Sequence, residues 1–132
     1  MSNSISKTYI ILYVADQERS TMFYSSVLKI KPRLNVPGMT EFEISNETIL
    51  GLMPYSSAAN LLNRNISGNI SKRATPKAEL YLIVDNPNIF HNRAIKFGAE
   101  EISPLLNRDW GHKAAYSMDF DGNILAFAEI IK

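Results

Sequence analysis

One strand–helix junction occurs twice in the chain, and this repeat limits the possible folds more than any other feature. Residues 8–14 (TYIILYV) are β-branched and aromatic, as in a buried strand, and Asp16 follows at a position suited to capping a helix. Residues 79–84 (ELYLIV) and the segment Asp85-Asn86-Pro87 repeat this order about seventy positions later. Two unrelated strand–helix units could coincide, but the shared order favours an internal duplication.

The first copy continues with a helix and two further strands. The helix is predicted over 17–28, because Phe23 with Val27 and Tyr24 with Leu28 place apolar side chains four residues apart. Strands are predicted at 40–44 and 48–53, joined by a tight turn at Ser45-Asn46-Glu47.

The second copy has the same sequence of elements. Phe90, Ala94 and Phe97 predict the apolar stripe of its helix, and Gly98 is a suitable stop. After Pro104, strands are predicted at about 112–119 and 123–130. Asp121-Gly122 joins them as a hairpin turn, in which Asp119 and Asp121 have a turn-forming role.

These elements predict a single α+β domain over residues 1–132, with strands and helices arranged in two modules. Module one covers about 8–54 and module two about 78–132. The connection between them, 55–77, is rich in Ser and Asn, with a short helix expected at 58–62. A connection of this length is either a linker or a loop over the mouth of a pocket.

Composition excludes several classes of protein. Fourteen Lys and Arg against thirteen Asp and Glu give a net charge of +1, so no basic surface for nucleic acid is expected. The chain has no cysteine, which rules out disulfides and thiolate metal sites and suits a reducing compartment. The apolar start is too short to cross a membrane and has no cleavage signal, so we expect a cytoplasmic protein.

Alternation along the two leading strands separates side chains that pack on helices from side chains that need another partner. One set is aliphatic in both strands: Ile10, Leu12 and Val14, then Leu80, Leu82 and Val84. The opposite set contains tyrosines and a carboxylate: Tyr9, Ile11 and Tyr13, then Glu79, Tyr81 and Ile83. Polar groups of this kind line a pocket, remain exposed, or lie in a dimer interface.

The motifs together resemble those of a known superfamily. The residues concerned are Val14-x-Asp16-x-x-x-Ser20-x-x-Phe23-Tyr24-x-x-x-Leu28, the pair Trp110-Gly111, and Asp119-x-Asp121-Gly122-Asn123. In order and spacing they resemble the vicinal oxygen chelate superfamily, which includes glyoxalase I, bleomycin-resistance proteins, fosfomycin-resistance enzymes and extradiol dioxygenases. The resemblance covers nearly the whole chain outside the connection.

The resemblance implies a specific architecture and assembly. Two tandem βαβββ modules would form curled mixed sheets around a cavity, with helices on the outer face. Many such proteins are dimers that bind a small molecule, so we expect a homodimer with a small-molecule ligand. From the charge and the short apolar start given above, we expect no binding to nucleic acid or membrane.

The resemblance also identifies where a metal would be held, and those positions carry unsuitable residues. Relatives that need a metal place one His, Gln or Glu on each of four strands, and the matching positions here are Tyr9, about Gly51, Glu79 and Ala126. Only Glu79 is an ordinary ligand for a divalent ion, and a stable site needs about three protein ligands. We therefore expect no metal centre and no cofactor.

Three further side chains outside those positions have chemical interest. His112 begins a different strand and is expected to bond to backbone or solvent, or to contact a ligand, rather than to hold a metal. His91 is expected to be a solvated helix residue. Trp110 would either stack on a flat ligand or anchor a loop.

Two functions of different class follow. The first is metal-free binding, and sequestration, of an aromatic or antibiotic-like compound; its expected contacts are Tyr9, Tyr13, Met53, Tyr81, Trp110 and His112. The alternative is a lyase, isomerase or dioxygenase-type enzyme, in which Glu79 is the tentative catalytic base if enclosure raises its pKa. The competing interpretation, slightly favoured, makes Glu79 a solvated or salt-bridged strand-edge residue, and a module serving only protein interaction is the third possibility.

Overall fold

The computed structural model describes residues 4–63 and 75–132, which divide into two compact units. Their elements are β1 (Thr8–Val14), α1 (Gln17–Leu28), β2 (Leu34–Val36), β3 (Met39–Ser45), β4 (Thr48–Pro54), α2 (Tyr55–Leu62), β5 (Glu79–Ile83), α3 (Pro87–Lys96), β6 (Glu100–Asn107), β7 (His112–Met118) and β8 (Ile124–Ile130). The first unit contains a sheet of order β1-β4-β3-β2, and the second a sheet of order β5-β8-β7-β6. This identical topology confirms the predicted α+β fold with two βαβββ modules.

The first sheet is mixed, because β1 runs parallel to β4 while β3 and β2 are antiparallel additions. Its buried face carries the predicted aliphatic set, with Leu12 and Val14 almost fully enclosed. Asp16 caps α1 as predicted, its carboxylate accepting a hydrogen bond from the Arg19 amide at 3.0 Å. The hydroxyls of Thr21 and Thr40, 2.8 Å apart, join α1 to β3 on this same face.

The second sheet repeats the pattern, with β5 parallel to β8 and antiparallel β7 and β6 beyond it. Helix α3 begins behind Asn86, whose side chain accepts from the Ile89 amide at 3.3 Å. The ring of Phe90 packs on Phe127 with centroids 5.4 Å apart, which identifies the face of the sheet that α3 covers.

Two predictions about α3 were wrong. His91 is 2 % exposed rather than solvated, because it lies on the buried side of the helix with Phe90 and Ala94. Its Nε2 is 2.8 Å from the Glu101 carboxylate on β6, which satisfies one ring nitrogen in a buried setting. Phe97 is 40 % exposed, since the helix ends at Lys96 and Phe97 leaves the apolar stripe.

The edge strands β2 and β6 were not found from the residues alone. Strand β2 is three residues long and all three residues are exposed, so it shows no alternation. Strand β6 contains Pro104, a residue that predicts a break before the next strand. Its pairing with β7 shifts between Glu101 and Ser103 and again between Ser103 and Leu106. Proline is tolerated at such an irregular edge because no ladder hydrogen bond needs its missing N–H.

The connection predicted over 55–77 is only partly described, since residues 64–74 lie outside the described ranges. Its short helix begins at Tyr55, directly after β4, rather than at Ala58. No helix in the described ranges is both long enough and apolar enough to cross a membrane.

Candidate functional site

The candidate residues lie on the face of each sheet opposite the enclosed aliphatic set. On the first sheet this face carries Tyr9, Ile11, Tyr13, Gly51 and Met53, and we call it the first open face. On the second sheet it carries Glu79, Tyr81, His112, Tyr116 and Ala126, and we call it the second open face. The alternation of strand side chains puts each set on one side of its own sheet.

Three predicted ligand contacts meet at one hydroxyl group on the second open face. The indole Nε1–H of Trp110 donates to the Tyr81 hydroxyl at 2.9 Å. The same hydroxyl is 2.7 Å from Nδ1 of His112, and the Tyr81 and His112 rings are tilted by 36° with centroids 5.7 Å apart. Tyr81 therefore holds Trp110 and His112 in a fixed arrangement, which we call the Tyr81 cluster.

The backbone of the loop before β7 sets the position of Trp110. The Arg108 amide donates to the His112 carbonyl at 2.8 Å, and the Ile131 amide donates to the Gly111 carbonyl at 2.9 Å. Gly111 has a φ of 85°, a conformation that glycine adopts without strain. With its N–H bonded, Trp110 still leaves 55 % of its surface exposed. It thus anchors the loop and also presents an open aromatic surface.

Arg108, which was not predicted as a site residue, supports the same face. Its Nη2 donates to the Ala114 carbonyl and to the Ser103 hydroxyl, both at 2.7 Å. The guanidinium lies 5.0 Å from the centroid of the Tyr116 ring. These partners come from separate strands, so no local motif in the sequence pointed to Arg108.

Tyr116 has an altered acidity at this location. Burial raises the pKa of Tyr116 above the ordinary value of 10.0, and the negative charges of Glu79 and of ionised Tyr81 raise it further. Arg108 acts in the opposite direction. The Tyr116 phenol is therefore held neutral on a face that also carries a carboxylate.

Among the described strands, β5 pairs with β8 alone, so Glu79 lies at the edge of the second sheet. Its side chain is exposed. It forms no salt bridge within residues 4–63 and 75–132. A buried general base must be enclosed by other side chains, and Glu79 is not enclosed by those of its own unit.

The first open face carries a polar group formed by Tyr9, Arg33 and Glu41. Arg33 Nη2 donates to the Tyr9 hydroxyl at 2.7 Å, and Arg33 Nε donates to Glu41 Oε1 at 3.0 Å. The hydrogen bond to Glu41 is the main reason that the pKa of Arg33 lies above its ordinary value. Tyr13 on β1 and Met53 on β4 are register partners and therefore neighbours. Among the described residues, neither has a recorded contact with the Arg33–Glu41 ion pair.

The residues at the four expected metal positions do not fit a divalent ion. Tyr9 already accepts a hydrogen bond from the cationic Arg33. A Cβ on Gly51 would lie 2.5 Å from Ile11 Cδ1 and 3.3 Å from Met39 Sδ, so that space is filled by apolar atoms.

The second unit is no better suited to a metal. Ala126 is a fully buried methyl group, which leaves Glu79 as the one conventional ligand among the four positions. Within residues 4–63 and 75–132, no three His, Cys, Asp or Glu side chains are grouped to hold an ion. A single carboxylate is too few ligands for a stable divalent site.

The hairpin motif has the turn role that the sequence indicated. The Asp119 carboxylate accepts from the backbone amides of Asp121 and Asn123, both at 2.9 Å. Its second oxygen accepts from the Asn123 side chain at 3.1 Å. These bonds close the turn between β7 and β8.

A separate cleft lies between α1 and the β2 edge of the first unit. It has a volume of about 930 Å³ and is lined in part by Glu18, Met22 and Val36. None of the predicted site residues lines it. Gln17 also lines the cleft. Its side-chain amide donates to the Val36 carbonyl at 2.8 Å and accepts from the Gly38 amide at 3.0 Å, and these bonds join α1 to the β2 edge.

Comparison with known proteins supports the fold found in both units. The chain resembles the hypothetical protein SA1046 from S. aureus, with 19% identity, 96% and 95% of the two chains covered, and a TM-score of 0.78. It also resembles a glyoxalase-related enzyme from Fulvimarina pelagi, with 18% identity, 97% and 88% covered, and a TM-score of 0.80. No curated protein matches the sequence.

A third similar structure is a glyoxalase/bleomycin resistance protein from Albidiferax ferrireducens T118, with 22% identity, 92% and 97% covered, and a TM-score of 0.68. At these identities the likeness concerns the fold alone. The family model of the glyoxalase-like domain matches residues 7–132, almost the whole sequence. The chain therefore belongs to the glyoxalase-like domain family of the vicinal oxygen chelate superfamily.

Proposed function

We propose that this protein binds a small, flat aromatic compound and sequesters it without altering it. The observation that carries the proposal is the Tyr81 cluster, in which Trp110 and His112 share one hydroxyl while the indole ring stays 55 % exposed. An aromatic side chain held rigidly in the open offers stacking area at little entropic cost. On the first open face, considered by itself, Tyr9, Tyr13 and Met53 are proposed as contacts for a compound of this kind.

The proposed binding needs no metal ion. Arg33 donates to Tyr9, and apolar atoms fill the space next to Gly51, so the residues on the first open face favour organic ligands over cations. Four of the similar structures carry bleomycin resistance in their names, among them those from Albidiferax ferrireducens T118 and from Nocardioides. On the basis of that likeness, we extend the proposal to the sequestration of an antibiotic-like compound by this chain.

The protein is further proposed to act as a cytoplasmic homodimer, with residues 1–132 as one binding domain. Support comes from apolar side chains on the second sheet that are about half exposed in a single chain: Ile83, Leu106 and Ile130. A group of exposed apolar residues of this kind is typical of a surface that is covered in the assembled protein. The net charge of +1 favours a small-molecule partner over nucleic acid.

Binding is tested by calorimetric titration with a panel of planar aromatic compounds, followed by mass spectrometry of the recovered compound. We expect at least one compound to bind and to be recovered unchanged. Trp110→Ala should weaken its binding at least tenfold, because stacking area and the anchor of the loop are both lost. Phe97→Ala is the matched control, since Phe97 is an exposed aromatic residue at the end of α3. Equal losses in the two variants would contradict the proposed site.

An enzymatic role for Glu79 is the second candidate. Its motivation is that Glu79 and Tyr116 lie on the same face of the second sheet, where burial and then the Glu79 charge raise the pKa of Tyr116. Such a pair can accept and donate protons. This candidate predicts conversion of a bound compound that Glu79→Gln abolishes while binding persists, and conversion that survives this substitution would remove it.

A further inference from the structure

We propose that His112 presents an Nε2–H donor to the ligand, so that the compound bound at the Tyr81 cluster carries a hydrogen-bond-accepting oxygen beside its flat ring. This inference rests on the proposed function and specifies the chemistry of the ligand. It follows from counting the protons and lone pairs at the Tyr81 hydroxyl.

The Tyr81 hydroxyl has one proton to donate. Trp110 can only donate, so its Nε1–H occupies an acceptor position on the Tyr81 oxygen at 2.9 Å. The second partner, His112 Nδ1 at 2.7 Å, is able to accept or to donate. Within residues 4–63 and 75–132, the structure gives the hydroxyl no third partner.

Only one arrangement satisfies all three groups inside the cluster. If Tyr81 donates to Nδ1 of His112, then the indole proton, the phenol proton and the Nδ1 lone pair are all used. If Nδ1–H donated instead, the Tyr81 oxygen would accept two bonds and its own proton would have no protein acceptor. The complete arrangement places the proton of the neutral imidazole on Nε2.

The Nε2–H of His112 is then free for a ligand. It has no hydrogen-bond partner within the described residues. Within the part of the chain that the structure describes, the enclosed side-chain atoms without a hydrogen-bond partner are His91 Nδ1 and Ser117 Oγ, so the Nε2 of His112 is not enclosed. The nitrogen is therefore open to an incoming acceptor.

The geometry of the cluster selects a class of compound. Trp110 supplies an exposed aromatic face, and it is joined through the Tyr81 oxygen to the donor on His112. A planar ring system bearing a ketone, quinone, amide or carboxylate oxygen matches both features. A planar hydrocarbon matches only the first.

The first test reads the tautomer directly, without any ligand. Long-range ¹H–¹⁵N spectra of the ¹⁵N-labelled protein are recorded at a pH of about 8, where an ordinary imidazole is neutral. The chain has two histidines, and the signals lost in His112→Leu identify those of His112. We expect the Nε2–H form to dominate, and we expect Tyr81→Phe to shift His112 toward a mixture of tautomers. A dominant Nδ1–H form in the unmodified protein would overturn the inference.

The second test compares two probes of nearly identical shape, 9-fluorenone and fluorene, by calorimetric titration. The carbonyl oxygen of fluorenone should give roughly 3- to 10-fold tighter binding, the usual net value of one neutral hydrogen bond. His112→Leu should abolish this preference, whereas Phe97→Ala, which alters an exposed aromatic residue at the end of α3, should preserve it. Equal affinities, or a preference that survives His112→Leu, would overturn the inference.

The two tests separate this inference from the proposed function. Equal binding of both probes leaves the protein as an aromatic binder but removes the acceptor oxygen from the description of its ligand. Binding of neither probe counts against the proposed function, and the imidazole spectrum then decides the inference alone.

Discussion

Arg33 donates a 2.7 Å hydrogen bond to the hydroxyl of Tyr9, the residue at the position where the family resemblance leads us to expect the first metal ligand. A guanidinium beside this phenol repels a second cation and occupies a lone pair that a metal would need. On β4, the strand next to that of Tyr9, Gly51 is covered by the side chains of Ile11 and Met39. The two expected metal positions on the first open face are thus occupied by a hydrogen bond from a cation and by apolar packing.

Restoring a ligand side chain at Gly51 should therefore destabilise the fold. Gly51→Glu would force atoms into the space next to Ile11 Cδ1, 2.5 Å from an ideal Cβ. Overpacking of this kind costs about 1–3 kcal/mol. Urea denaturation should show a loss of this size in the free energy of unfolding.

The matched double variant tests whether Ile11 is the cause. Ile11→Ala removes the blocking methyl, so the losses of Gly51→Glu and Ile11→Ala should fall short of additive by at least about 0.5 kcal/mol. Strict additivity would show that the contact with Ile11 is irrelevant to the cost.

Tyr81→Phe should loosen the Trp110 loop. The substitution deletes one hydroxyl but two hydrogen bonds, to Trp110 and to His112, and should lower the free energy of unfolding by roughly 1–2 kcal/mol. The emission of the single tryptophan should change because its N–H loses its partner.

Tyr13→Phe is the matched control for that prediction. The Tyr13 hydroxyl makes no hydrogen bond within residues 4–63 and 75–132, so its removal should alter the stability by less than about 0.5 kcal/mol. Similar losses in the two variants would mean that the Tyr81 bonds contribute nothing of their own.

Stability should fall in alkali because of Tyr116. Its pKa in the folded protein lies above 10.0, so the folded state retains the phenol proton longer than the unfolded state does. The contribution of Tyr116 is fully present below pH 10 and is lost as the pH rises from about 10 through the raised value. Tyr116→Phe should reduce this loss in alkaline denaturation experiments.

Glu79→Gln should move the Tyr116 titration toward lower pH, as followed by the near-ultraviolet absorbance of tyrosinate. Burial remains the larger cause, so the shift should be partial. Glu129→Gln is the control, because Glu129 points to the opposite face of the sheet. An unchanged titration after Glu79→Gln would show that the Glu79 charge does not reach Tyr116.

His91→Ala should be strongly destabilising, by about 2–4 kcal/mol, because it empties a site that is 2 % exposed. Glu101→Ala should cost less, roughly 0.5–1.5 kcal/mol, since the Glu101 side chain is 50% exposed and its loss removes only the bond to Nε2. Chemical denaturation of both variants decides the order. Equal costs would indicate that the bond, rather than the packing of the imidazole, is what stabilises α3 on the sheet.

Ser117→Ala should be neutral or stabilising by up to about 1 kcal/mol. Its hydroxyl is fully buried, faces Glu101 across the β6–β7 pair, and has no partner within the described residues. An unpaired buried hydroxyl costs free energy, and alanine removes that cost while leaving only a small void. A loss above about 1 kcal/mol in thermal unfolding would reveal a hidden partner such as an enclosed water.

The regular part of the fold was predictable because its signals are local. The bounds of α1 agree with the prediction, since Asp16 and the apolar pairs at four-residue spacing act within a single helix. The aliphatic faces of β1 and β5 followed from alternation alone. The edge strands were missed because an exposed strand has no buried side to impose alternation, and Pro104 resembles a break in the chain.

Three residues selected from the sequence lie together on the second open face, but the bonds that join them were not predictable. Sequence reasoning selected Tyr81, Trp110 and His112 separately, yet nothing in their spacing indicated that one hydroxyl joins them. Arg33 and Arg108 were missed because their partners are brought together by strand pairing. The burial of His91 was not predicted, because a polar residue beside the apolar stripe of a helix gives no indication of its carboxylate partner, Glu101 on β6.

The proline and the two register shifts in β6 have a consequence for the behaviour of the protein in concentrated solution. A straight outer strand offers a continuous row of backbone groups to which a strand of another molecule can add, and such addition propagates into fibrils. Strand β6 interrupts that row at Pro104 and bends it at each shift. This border of the second sheet therefore resists uncontrolled polymerisation even though it exposes Ile102 and Leu106.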